Sequence, residues 1–112
     1  MKTVKSFNVQ IWVGLREGYT DKVHTIEEVR AICDKWVNEV KDCVTITPTE
    51  FIYVDGSEQG VIVGYINYPR FPRSKIAITD RAIALANRLK IGLGQIRVSV
   101  VTPDETYMLE DE

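Results

Sequence analysis

Cys43 to Tyr68 runs CVTITPTEFIYVDGSEQGVIVGYINY, two β-rich stretches on either side of a polar turn. The first, residues 43–54, is interrupted by Pro48. Proline has no N–H to give to a ladder, so this stretch belongs at a sheet edge or is split by a bulge. Asp55 to Gly60 carries two glycines and is expected to be the turn. Val61 to Tyr68 is almost continuously apolar, the mark of a strand with neighbours on both sides.

Upstream, SFNVQIWVGL (residues 6–15) alternates strictly. Phe7, Val9, Ile11, Val13 and Leu15 share one face, and Asn8, Gln10, Trp12 and Gly14 the other, which predicts a strand with one buried side. After a polar connection, Thr25 and Glu28 form a capping-box pair. Ile26, Val29, Cys33, Trp36, Val37 and Val40 then recur at helical spacing, predicting an amphipathic helix over 26–40. Downstream, Pro69 to Lys75 breaks the pattern. Thr79 or Asp80 is expected to open a second helix carrying Ala82, Ile83, Leu85, Ala86 and Leu89, stopped at Gly92 or Gly94. Gln95 to Val101 alternates as a last strand, and residues 104–112 form an acidic tail that either adds a short strand or frays.

The order βαββαβ with two right-handed crossovers predicts an α+β ferredoxin-like sandwich, its antiparallel sheet ordered 4-1-3-2 with both helices on one face. The Pro48 strand then falls at an edge, as proline requires. The 112 residues suit a single domain, 1–112. Apolar residues make up 45% of the chain and charged residues 27%, enough for an ordinary core. A formal net charge of −2 provides no global field for a nucleic-acid backbone, so nucleic acid is not the expected partner and any anion site must be local. No apolar run reaches membrane-span length, and Met1-Lys2-Thr3-Val4-Lys5 does not open a signal peptide, so a cytoplasmic protein is expected.

Two cysteines and one histidine cannot furnish a structural zinc site, and neither a metal nor a cofactor is expected. Cys33 falls on the apolar helical stripe and reads as core. His24 reads as an exposed loop histidine, Asp80 as a helix cap, and Asp55 and Glu58 as hairpin-turn carboxylates.

Tyr68-Pro69-Arg70-Phe71-Pro72-Arg73-Ser74-Lys75 packs three cations, two aromatics and two prolines into eight residues. Prolines hold the backbone extended. Arg70, Arg73 and Lys75 can then meet a phosphate or carboxylate, while Tyr68 and Phe71 stack on a planar body. The opposite reading is a solvated connector whose arginines pair with surface acids. The second candidate is the sheet face away from the helices, where Asn8, Gln10 and Trp12 emerge beside Arg97 and Ser99. A half-covered tryptophan there suits a homo-oligomer interface, a small-ligand platform or RNA stacking. The last lacks its aromatic consensus on the third strand.

The strand ending Ile11-Trp12-Val13-Gly14-Leu15, followed by a polar loop, a capped helix, a glycine-containing hairpin and a closing strand, resembles small phage and prophage proteins of ferredoxin-like layout. The resemblance implies a phage accessory protein working in the host cytoplasm and carries over no catalytic residues. Some such proteins sequester host signalling nucleotides or block a host protein. The leading expectation is therefore a non-catalytic binding protein that engages an anionic, nucleotide-like ligand or an acidic host-protein surface through Tyr68, Arg70, Phe71, Arg73 and Lys75. The alternatives are a small dimeric ferredoxin-like enzyme of isomerase or monooxygenase type, with its site between sheet and helices, and a purely structural interaction module.

Overall fold

The computed structural model describes residues 1–111. Strand β1 (Val9–Gly14) is followed by helix α1 (Ile26–Val40), strands β2 (Thr45–Tyr53) and β3 (Gly56–Tyr65), helix α2 (Lys75–Gly92), and strands β4 (Arg97–Val101) and β5 (Thr106–Glu110). All neighbouring strands are antiparallel, and the sheet order is β2-β3-β1-β4-β5. This is the expected α+β layout with its 4-1-3-2 order. The tail supplies a fifth strand outside β4, its Leu109 packing on the core.

Val9, Ile11 and Val13 are fully buried in one cluster with Val29, Cys33 and Trp36 of α1 and Ile78, Leu85 and Leu89 of α2. Both helices therefore cover the same sheet face. The capping box at Thr25 forms as expected, with each partner's side chain bonded to the other's backbone N–H. Burial pushes the Cys33 thiol up to about 11, which keeps it an inert core residue.

Boundaries differ from expectation in two places. Ser74, rather than Thr79 or Asp80, caps α2 by accepting the Ala77 N–H, so the helix takes Lys75 from the basic segment. The hairpin turn is tighter than Asp55–Gly60, because β3 already begins at Gly56 and Asp55 alone takes the left-handed conformation (φ 60°). Glycines 56 and 60 are strand positions because rings need the room. A Cβ at Gly56 would lie 2.6 Å from the Tyr53 ring, and one at Gly60 2.2 Å from the Phe51 ring. Residues 51–53 and 56–58 pair only with each other, so the hairpin projects about 10 Å beyond the β1 ladder.

A buried polar cluster closes the opposite end of the sheet. The Asp42 side chain, just past the left-handed cap Lys41 (φ 61°) of α1, has no exposed surface. It accepts the Tyr65 hydroxyl at 2.6 Å and Arg73 Nη2 at 2.5 Å, with Arg81 Nε at 3.6 Å. Tyr65 in turn accepts the Trp36 indole N–H at 2.8 Å. Four segments are thereby joined: α1, β3, the segment before α2, and α2 itself. Burial, then donation to Asp42, holds the Tyr65 phenol well above its ordinary value.

Tyr65→Phe removes a donor from Asp42 and an acceptor from Trp36, and should cost about 1–3 kcal/mol in denaturant unfolding near neutral pH. Because the folded state raises this phenol, its contribution is complete below the unfolded value of about 10 and is lost as pH rises above it. The variant should therefore show a shallower alkaline loss of stability than the wild type. Equal stability and equal alkaline slopes would contradict this role.

Candidate functional site

Two clefts lie at opposite ends of the sheet. The first, about 450 Å³, is walled by Arg16, Gly18, Tyr19, Thr20 and Asp21 of the β1–α1 connection, Tyr53 and Glu58 of the hairpin, and Gln95, Ile96 and Arg97 leading into β4. The second, about 650 Å³, is lined by Lys41, Asp42, Cys43, Tyr65, Ile66, Tyr68, Phe71, Pro72, Arg73 and Ile78. Register separates them. Glu58 and Gly60 flank the C-terminal end of β1, where Gly60 faces Gly14, whereas Tyr65 faces Val9 at the strand's start.

The first cleft is built on the uncovered sheet face. Phe51, Tyr53, Glu58, Gly60, Gly14 and Trp12 lie on one side of the β2-β3-β1 ladder. Phe51 covers Gly60 and meets Trp12 ring to ring at 6.2 Å. The bare backbone of Gly14 lets two side chains close in, for a Cβ there would lie 3.1 Å from Gln95 Oε1 and 3.3 Å from Glu58 Oε1. Gln95 is fixed by donating to the Arg16 and Leu93 carbonyls. Arg97 is held charged by Glu110 at 3.0 Å and by Tyr19. Glu58 is half-buried and has no cation partner among the described residues. The cleft thus presents an uncompensated carboxylate, two tyrosine faces and two arginines.

His24 ends the β1–α1 connection that walls this cleft, and it is buried rather than exposed as expected. Its side chain is 8% exposed, with Nδ1 donating to Glu28 Oε2 at 2.7 Å and Nε2 3.5 Å from Glu17 Oε2 without a hydrogen bond. The pairing follows from the capping box, since Glu28 faces back toward its own helix start. The Thr25 N–H, then His24, keep the Glu28 carboxyl below its usual range. Glu17 packs against Gly94, which is also left-handed (φ 58°), so a side chain at 94 would meet both strain and a clash.

The basic-aromatic segment divides. Tyr68, Phe71 and Arg73 line the second cleft. Arg70 instead lies over the Phe71 ring at 5.3 Å, and Lys75 sits 3.8 Å from Asp104 and over Phe7. Arg70 and Arg73 do not converge, because Arg73 turns inward to Asp42. Asn8, Gln10, Trp12, Arg97 and Ser99 do share the uncovered face. No sequence motif marks Tyr19, Tyr53 or Asp42, and Glu58 reads from sequence only as a hairpin-turn carboxylate. A signal existed for Glu58: in a strand, positions 56, 58, 60 and 64 share a face, so the carboxylate rises from a glycine-lined stripe. Among the described residues no cluster of metal ligands occurs, and no helix is long and apolar enough to cross a membrane.

No protein-family model and no curated protein matches the chain. Two solved structures do. A phage SAM lyase in complex with S-methyl-5'-thioadenosine superposes with a TM-score of 0.81 at 20% identity, covering 96% of this chain and 91% of that one. A phage SAM lyase in the apo state gives 0.79 at 21% identity, covering 95% and 90%. The chain shares their fold, and the resemblance to phage proteins of this layout is supported to that extent. The expectation of a non-catalytic binder is corrected by this finding, because the matched structures are of an enzyme and the small-enzyme alternative fits them better. The error has a physical source. The cations of the Tyr68–Lys75 segment suggest an anionic ligand, whereas the neighbour's ligand is a nucleoside thioether without phosphate.

Proposed function

We propose that the chain is a lyase acting on a sulfonium nucleoside of the S-adenosylmethionine type, with its site in the first cleft. The observation that carries the reading is Glu58, an unpaired, half-buried carboxylate in a cleft also lined by Tyr19 and Tyr53, in a fold shared with a structure that holds S-methyl-5'-thioadenosine. Such a substrate has a flat adenine, a cationic sulfur, and a tail bearing an ammonium and a carboxylate. Tyr19 and Tyr53 suit the adenine and the cation, and Arg16 and Arg97 suit the tail carboxylate.

The chemistry requires little proton transfer. The carbon–sulfur bond to the tail breaks with its electron pair going to sulfur, so methylthioadenosine leaves as a neutral thioether. The tail's own carboxylate oxygen closes on the freed carbon, and neither water nor an acid is consumed. Opposite charges vanish as this happens, so a protein carboxylate set against the sulfur would favour the reactant over the transition state. Glu58 is better placed on the ammonium, which keeps its charge throughout. It holds the tail folded for attack.

Copies of the chain associate, on this reading, through the uncovered face. Trp12 is only half-covered there and Met108 is 55% exposed. The cleft lies at the rim of that face, so a neighbour would shield it from water. A phage accessory role in the host cytoplasm is consistent with this reading.

Two measurements test these points. Incubation with S-adenosylmethionine should release methylthioadenosine, followed by liquid chromatography, and Glu58→Gln should lower kcat/KM by about 10- to 100-fold through loss of a charge-assisted contact. No release by the wild type, or full activity in the variant, would refute the reading. In sedimentation, Trp12→Arg should give a monomer, because the new charge would be desolvated without a partner. A wild type already monomeric at tens of micromolar (order of magnitude) would refute the association.

A further inference from the structure

The second cleft contributes nothing to the proposed reaction, yet it is the larger and carries its own charge logic. Its walls are apolar or aromatic: Ile66, Tyr68, Phe71, Pro72 and Ile78. Its floor is Asp42, whose oxygens are already taken by Tyr65, Arg73 and Arg81. That carboxylate is closed to any ligand. Its effect is to pin Arg73, whose backbone N–H is independently held by Asn67 Oδ1 at 2.9 Å.

Only Nη2 of the Arg73 fork is engaged among the described residues, and about a third of the side chain (32%) remains exposed at the cleft. Lys41, Arg73 and Arg81 stand against the single charge of Asp42, so this end is locally cationic in a protein of net charge −2. A guanidinium immobilised in advance loses little freedom on meeting an anion. The Tyr68 phenol, pushed up to about 12 chiefly by its contact with Cys43, stays neutral and adds no opposing charge.

We propose that this cleft is a second ligand site, for a small monoanion with an aromatic or apolar body, such as an aryl carboxylate or sulfonate. The anion meets the free edge of Arg73 and the body lies among Ile66, Tyr68 and Phe71. About 650 Å³ accommodates a two-ring molecule. The site is independent of the nucleoside cleft and does not rest on the lyase reading.

The probe is 8-anilinonaphthalene-1-sulfonate, titrated by fluorescence against the whole chain in low salt. Saturable one-to-one binding is expected, with N-phenyl-1-naphthylamine, its uncharged counterpart, binding at least about tenfold more weakly. Arg73→Gln tests the contact directly, but it uncovers Asp42 and can unfold the chain. Phe71→Glu avoids this, since Phe71 is 66% exposed, and should weaken the sulfonate about tenfold with an unchanged melting temperature. Methylthioadenosine should not displace the probe. Absence of one-site binding, equal binding of the uncharged probe, an unaffected Phe71→Glu variant, or displacement by methylthioadenosine would each overturn the proposal.

Discussion

With both helices on one face, the other face of the sheet has to be finished by side chains alone. The chain meets that constraint by laying rings on bare backbone: Tyr53 over Gly56, Phe51 over Gly60, and Trp12 beside Phe51. An aromatic packed over a glycine covers backbone that water would otherwise reach and fixes the register of the pair. The same arrangement leaves Gly14 bare at the end of β1, where Gln95 and Glu58 can converge. The candidate reaction cleft is thus a by-product of how the uncovered face is completed, and its rigidity is that of the central strand.

The other end of the sheet is organised by charge. A carboxylate without solvent access is expensive to bury, and removing one partner of such a pair costs far more than the intact pair adds to net stability. Asp42 offsets its desolvation with one phenol and two guanidinium groups drawn from β3, the segment before α2, and α2. This explains a basic cluster in an acidic protein without a polyanionic partner. Arg73 is first a structural counter-ion, and only the remainder of its donor capacity faces outward.

Much of the fold was legible in local pattern. The alternation of Phe7 to Leu15, the Thr25–Glu28 box and the ladder-breaking Pro48 each point to one placement, and together they leave a single strand order. What escaped were features that depend on pairing across the chain. Gly56 and Gly60 look like turn residues until Tyr53 and Phe51 are set opposite them in register. Ser74 and Asp80 are both competent caps, and the choice falls to Ser74 because Arg73, held by Asp42 and Asn67, fixes where the helix begins. Asp42 and Tyr65 are 23 residues apart and have no motif in common. His24 reads as exposed because nothing local shows Glu17 folding back over it. Glu58 was hidden by the same turn assignment that misread its flanking glycines.

On the proposed function, the nucleoside belongs at the hairpin end of the sheet, against Glu58, and not at the cationic end. Titration of isotope-labelled protein with methylthioadenosine, followed by amide chemical shifts, tests it most directly. Binding there should give saturable shifts confined to Arg16–Asp21, Tyr53–Glu58 and Gln95–Arg97, with Tyr68–Arg73 undisturbed. Shifts centred on Tyr68, Phe71 and Arg73, or none at saturating ligand, would contradict it.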